Sequence, residues 1–169
     1  MATAAEEAGA ADRLLAAARE AIGGVRYCWA MTAAEGGGVN ARLMGRLPVL
    51  SGEDEWTVCL VTGGGSRKAA EIRRSGRLTV GYQREADGAY VVLAGRATLV
   101  EDRSELRRRW QKGWNVFFPG GPDGSTAVLL RLEVERIELC VQGITPEPFG
   151  SRYLTLERRG ARPWHVVGG

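Results

Sequence analysis

Apolar and polar residues change their period once along this chain. From Ala4 to Ile22 an Ala/Leu face runs among alternating acidic and basic residues and stops at Gly23-Gly24. That pattern predicts a helix ended by glycine. Beyond it, short runs rich in Val, Leu, Thr and aromatics predict strands at Tyr27 to Thr32, Arg42 to Leu50, Glu55 to Thr62, Leu78 to Gln83, Ala89 to Val100 and Ala127 to Cys140. The clearest stretch is Arg131 to Leu139, where apolar and charged residues alternate as in a half-buried strand. Turn-forming residues separate the runs at 35–38, 51–54, 63–65, 87–88 and 119–124. Two short helices fit between strands. Ser66 to Arg74 ends before Gly76; Asp102 to Lys112 opens with Asp102 and Glu105 at capping-box spacing and carries Leu106 and Trp110 at i, i+4.

Six strands, few helices and mostly short connections predict a mainly β, α+β fold: a six-stranded antiparallel barrel, which also protects sheet edges. A chain of 169 residues has room for one domain of this kind; about 70% of its unfolded surface is buried at such a size. The expected organisation is an N-terminal helix over 1–24, the barrel over 25–142 and a C-terminal extension over 143–169, the last holding one further strand at Tyr153 to Glu157. The chain contains no internal repeat.

Composition narrows the chemistry. A single histidine, His165, and three cysteines, Cys28, Cys59 and Cys140, argue against metal sites built from several His and Cys ligands, and no metal is expected. The same scarcity argues against a Ser-His-Asp triad. No side chain stands out as a catalytic acid or base, so any chemistry is expected to come from a cofactor. The balance of 23 basic and 20 acidic residues gives a formal +3, spread thinly, which argues against nucleic acid as a partner. Arg103, Arg107, Arg108 and Arg109 would fan around their helix as a solvated face. The acidic N-terminus lacks the apolar region of a signal peptide, and no run approaches the roughly 20 apolar residues of a membrane span. With an odd cysteine count, these features point to reduced thiols and a cytoplasmic protein.

The strongest local signal is Val61-Thr62-Gly63-Gly64-Gly65-Ser66-Arg67-Lys68. A strand ends at Thr62, three glycines turn the chain, and Ser66 stands at the N-cap of a helix. Exposed glycine N–H groups and a helix N-terminus suit an anion. Arg67 and Lys68 in the first turn oppose the helix dipole unless an anion is present. The same residues also fit a flexible loop with a basic helix start, and spacing alone does not separate the two. The segment is not a Walker A loop, because no Gly-Lys-Ser/Thr follows. Gly36, Gly38 and Ala41 match a dinucleotide fingerprint, but the following residues read as strand where the fingerprint needs a helix. Arg42, with Leu43, Met44 and Arg46, would supply a second phosphate- or ring-binding surface, or simply an outward-facing strand residue. Trp110, Trp114 and Phe117-Phe118 suit core or interface better than a ligand platform.

These pieces in this order resemble the pyridoxamine 5'-phosphate oxidase-like, FMN-binding split-barrel family, and within it the bacterial general stress protein group. The resemblance rests on Arg42-Leu43-Met44, on Thr62 to Lys68, on Gly95 to Asp102, and on Trp114 to Asp123 with its Phe118-Pro119-Gly120-Gly121-Pro122-Asp123 run. It implies a split barrel that dimerises, with FMN in grooves between the two subunits. By position, Arg42, Leu43 and Met44 would line the isoalloxazine and ribityl side, Val61 and Thr62 would meet ring and ribityl, and Ser66, Arg67 and Lys68 the phosphate. The chain departs from the family's oxidases at Tyr90, where those carry Gln. It departs again in 151–169, which lacks their substrate-binding Arg and His motif, and at Cys140, where stress-type members often carry an aromatic. Vitamin B6 oxidation is therefore not expected.

The leading expectation is an FMN-dependent oxidoreductase acting on an unknown small molecule. Alternatives are a deazaflavin- or haem-binding relative, a non-enzymatic stress or interaction module, and nucleic-acid binding through the arginines of 103–109.

Overall fold

The computed structural model describes residues 4–168. Helix α1 (Ala4–Gly23) precedes strands β1 (Tyr27–Ala33), β2 (Val39–Gly45) and β3 (Thr57–Gly63). Helix α2 (Arg67–Ser75) leads into β4 (Arg77–Gln83) and β5 (Tyr90–Val100). Then come α3 (Arg103–Arg109), a 3-10 turn (Lys112–Val116), α4 (Gly121–Gly124), β6 (Ala127–Cys140), β7 (Leu154–Glu157) and β8 (His165–Val167). All six expected barrel strands are present, and the C-terminal extension adds two more. None of the described helices is long and apolar enough to cross a membrane.

The strands form one antiparallel sheet in the order β2-β1-β4-β5-β6-β7-β8, with β3 also paired to β6. The long β6 serves two neighbours on one side: its Ala127–Glu133 half pairs β3, and its Arg136–Leu139 half pairs β7. Between β2 and β3 there is no ladder, which is the split in the barrel. A single backbone bond, from Leu47 N–H to the Cys59 carbonyl (3.0 Å), ties the chain after β2 to β3. β2 stops at Gly45 rather than running to Leu50, as fits a stretch that contains Pro48 and so lacks a ladder donor.

The main core lies inside the barrel and under α1. Ala11, Leu14, Leu15, Ala18, Ala21 and Ile22 recur on one face of α1 and are buried against Val80, Leu93, Val134 and Ile137. Each buried Leu or Ile stabilises the fold by about 1.5–3 kcal/mol. A second cluster joins Leu47, Cys59, Leu106, Ala127 and Leu129 to Trp110, Trp114 and Phe118. It covers the other face of β6, so that strand is buried on both sides from Ala127 to Leu130 and alternates only afterwards. All three cysteines are free and buried, and burial pushes the Cys28 and Cys59 thiols up.

The α2 boundaries follow the expected signals closely. Ser66 caps the N-terminus, its hydroxyl accepting from Ala69 N–H, and Gly76 ends the helix in a left-handed conformation (φ 62). At α3 the expected capping box does not form. Asp102 caps the helix by accepting from Ser104 N–H (2.7 Å), while Glu105 turns to Arg108 and Arg131 instead of reaching back. The basic side chains nearby recruit its carboxylate, and the helix ends at Arg109, short of Lys112.

Candidate functional site

The expected anion loop lies at the split. α2 stands across it, and its side chains reach both borders: Glu71 meets β1 and β2, while Lys68 meets the end of β3. Lys68 Nζ donates to Thr62 Oγ1 (2.9 Å), and Thr62 Oγ1 lies 3.2 Å from Ser66 Oγ. Lys68 is half-buried and has no carboxylate partner among the described residues. Burial first, and then the charge of Arg42, hold its ammonium below the usual lysine range. A cation disfavoured by burial and by a neighbouring cation is stabilised by any anion that joins it.

The glycine loop contributes less than its sequence promises. Gly64 N–H donates to the Thr126 carbonyl (2.7 Å) and Ser66 N–H to the Gly63 carbonyl (3.0 Å), so two amides are already used. None of Gly63, Gly64 and Gly65 has positive φ. Gly64 is needed for proximity instead: a Cβ there would lie 3.3 Å from the Thr126 carbonyl oxygen and from Val128 Cγ1. The cradle is therefore made chiefly of side chains, with Ser66, Arg67 and Lys68 at its rim.

Period-two geometry separates two of the β2 candidates. Asn40, Arg42 and Met44 share one face of β2, and Val39, Ala41 and Leu43 the other. Met44 packs against the main core, whereas Leu43 is 56% exposed on the outer sheet face. Arg42 turns toward α2. Its Nη1 donates to Thr32 Oγ1 (2.5 Å) and the Asn40 carbonyl (3.2 Å), and its Nη2 to Glu71 Oε2 (3.2 Å). Arg42 and Lys68 thus belong to one cluster, with Thr62, Ser66 and Arg67 beside them. Val61 lies against the second core cluster.

Glu71 is the residue that the sequence reading missed. It is buried, at 3% exposure, and accepts from Thr32 Oγ1 (2.5 Å), Asn40 Nδ2 (2.5 Å) and Arg42. Arg67 Nε stands 3.8 Å from it, one helical turn back. The Thr32 hydrogen bond foremost, followed by those from Asn40 and Arg42, holds its carboxyl below the usual range.

Other sequence candidates fall outside the cluster. Gly36, Gly37 and Gly38, all at positive φ, form the turn of the β1–β2 hairpin and not a dinucleotide loop. His165 lies on β8, at the opposite end of the strand order from β2, and makes no contact with the cluster. The arginines of 103–109 are committed within the fold. Arg103 donates to the Pro122, Ser125 and Ala127 carbonyls, Arg107 pairs with Asp123, Arg108 with Glu105, and buried Arg109 with Glu53. Each of these arginines thus has a partner within the fold, Arg107 and Arg108 at the surface and Arg109 in the interior. No group of three or more His, Cys, Asp or Glu suited to a metal occurs among the described residues.

Comparison with known proteins agrees with this architecture. The family described as "Pyridoxamine 5'-phosphate oxidase like" matches residues 15–140. The chain belongs to that family. A Clostridium acetobutylicum protein related to general stress protein 26, of the pyridoxinephosphate oxidase family, aligns with a TM-score of 0.70 at 18% identity, covering 86% of this chain and 95% of its own. A pyridoxamine 5'-phosphate oxidase-related, FMN-binding protein from Nostoc punctiforme aligns with a TM-score of 0.62 at 18% identity, over 100% of both chains. PhzG from Burkholderia lata, in complex with tetrahydrophenazine-1-carboxylic acid, aligns with a TM-score of 0.60 at 20% identity, over 92% of this chain and 88% of its own. At these identities the likeness concerns the fold. A search of curated proteins gave no match.

Proposed function

We propose that this member of the pyridoxamine 5'-phosphate oxidase-like family binds FMN between two copies of the chain and acts as a flavin-dependent oxidoreductase on a small molecule. Ser66, Arg67 and Lys68 receive the phosphate. Val61 and Thr62, with Arg42, Leu43 and Met44 on β2, bound the ring and ribityl chain. The observation that carries the reading is the half-buried Lys68, paired only with a neutral hydroxyl and placed beside a second cation. Lys68 itself has no anionic partner among the described residues, and a terminal phosphate with charge near −2 would supply one.

The outer sheet face supports the dimer. Tyr27, Trp29, Val39 and Leu43 are exposed there, with Trp29 directly opposite Leu43 across the β1–β2 ladder. A contiguous apolar face of this kind favours a protein partner over water. Arg42 and Leu43 point to opposite faces, so a group touching both must lie over the free edge of β2. A second copy docked on the outer face would wall that edge in.

When bound, the flavin supplies the hydride chemistry, and the chain supplies binding and orientation. Lys68 and Arg67 would fix the phosphate end, and the Thr62 hydroxyl, held by Lys68 and Ser66, would meet the ribityl chain. The test is the visible spectrum of the purified protein together with FMN titration. Flavin absorbance that is lost in an Arg67→Ala/Lys68→Ala variant supports the reading. Colourless protein that ignores FMN, FAD and deazaflavin overturns it and favours a non-enzymatic interaction module.

A further inference from the structure

Three cations and one carboxylate meet at the cradle, and the carboxylate is the most deeply buried of the four. Side-chain exposure is 5% for Glu71, 19% for Arg42 and 74% for Arg67. Glu71 draws Arg42 inward, where Thr32 and the Asn40 carbonyl take up its Nη1. Arg67, on the exposed side, lies near enough to feel the same carboxylate. An incoming phosphate must therefore compete with Glu71 for Arg67, and it feels the charge of nearby Arg42 less because Glu71 already offsets it. Counting Arg42, Arg67 and Lys68 against Glu71, the cluster carries +2 rather than +3.

We propose that Glu71 is an internal competitor for the phosphate: a positioning residue that keeps Arg42 ion-paired, lowers the cradle's charge by one, and so keeps a phosphomonoester ligand exchangeable instead of permanently held. This rests on the reading of the cradle as a phosphate site, and it assigns Glu71 a role that a helix-surface glutamate lacks. The charge balances Arg42, but the shape of the site does not require it. Asn40 donates to Glu71 Oε1, and an amide at 71 with Asn40 flipped would retain that bond. A buried charge that shape does not demand acts through its field on the charges around it.

The test compares wild type, Glu71→Gln and the carboxylate–amide exchange Asn40→Asp/Glu71→Gln. Inorganic phosphate is followed by calorimetry, and FMN and riboflavin by flavin fluorescence. Glu71→Gln is expected to bind phosphate and FMN about tenfold tighter, to release FMN about tenfold more slowly, and to bind riboflavin as wild type does. Structural damage would weaken binding, so a gain separates the charge role from a packing role. The exchange variant, which returns the carboxylate to the network, is expected to restore wild-type phosphate affinity to within about threefold.

A folded Glu71→Gln with unchanged or weaker phosphate affinity overturns the inference. Should Glu71→Gln fail to fold, the exchange variant decides: wild-type-like phosphate affinity supports the inference, and a change of about tenfold either way overturns it. If wild type binds inorganic phosphate but not FMN, the flavin reading fails and Glu71 is judged on phosphate alone. If neither wild type nor Glu71→Gln binds phosphate, both fall.

Discussion

Gly95 packs against the backbone of Glu133 so closely that a Cβ at that position would lie 2.0 Å from the Glu133 carbonyl oxygen. The register between β5 and β6 shifts at this point, between Ala94 and Gly95, and the bulge lets the two longest strands bend around the core. Backbone, not a movable side chain, occupies the space, so Gly95→Ala has no cheap relief. It is expected to cost about 3 kcal/mol or more, at or above the usual range for overpacking. Denaturant unfolding of a soluble Gly95→Ala variant within 1 kcal/mol of wild type would contradict this.

Lys68 and Arg67 should divide the work of holding a phosphate unequally. Lys68 is half-buried beside Arg42, while Arg67 is largely exposed and screened by water. Lys68→Met is expected to weaken FMN about a hundredfold, and Arg67→Gln only about tenfold, since charge-assisted bonds strengthen as water is excluded. Riboflavin, without the phosphate, should lose far less than FMN in either variant. Equal losses for riboflavin and FMN would mean that the cradle does not meet the phosphate.

Much of this was legible in the sequence for identifiable reasons. β6 shows itself by alternation over Arg131 to Leu139, broken once at Glu135-Arg136 where the register shifts, and α2 by Ser66 at one end and Gly76 at the other. Glu71 was not legible, because Ala70-Glu71-Ile72-Arg73-Arg74 reads as an ordinary charged helix face. Only the arrival of Thr32, Asn40 and Arg42 from β1 and β2 makes it a buried carboxylate. The opposite directions of Arg42 and Leu43 follow from strand period alone and qualify the idea of a single lining surface. β8, three residues long and directly after Pro163-Trp164, has no pattern long enough to read; it exists through its pairing with β7.

Beside the β6–β7 ladder, Arg158 ties the C-terminal extension to the barrel through its side chain. Arg158 makes a bidentate pair with Asp54 (2.6 and 3.0 Å), donates from Nε to the Val134 carbonyl, and stacks 4.5 Å from the Trp164 ring centre. The Arg158 hydrogen bonds foremost hold the Asp54 carboxyl below its usual range. A depressed carboxyl contributes stability that is present above its unfolded value near 3.8 and is lost as pH falls through the folded value. Asp54→Asn should therefore cost about 1 kcal/mol at pH 7, a partly exposed pair being screened. The difference from wild type should shrink as pH falls below 3.8 and through the lowered folded value, where the wild-type carboxyl itself protonates. A deficit that persists unchanged in acid would assign the effect to packing and not to charge.

Trp29 is the most informative residue on the outer sheet face. It is 50% exposed, lies opposite Leu43 at 56%, and is followed on the same face by Met31 opposite Ala41. An indole half in water beside an exposed leucine leaves a large apolar area unsatisfied, and burial returns about 25 cal/mol for each Å² removed. If this face joins two copies, a two-fold arrangement brings Trp29 of each copy into the shared patch, so one substitution acts twice. Trp29→Glu should then yield monomers by light scattering at concentrations where wild type is dimeric, with unchanged far-UV circular dichroism. It should also weaken FMN at least tenfold, because the edge of β2 would lose its wall. A monomeric Trp29→Glu that binds FMN as tightly as wild type would separate the dimer from the cofactor site. A Trp29→Glu dimer would move the interface elsewhere, leaving this face for another partner.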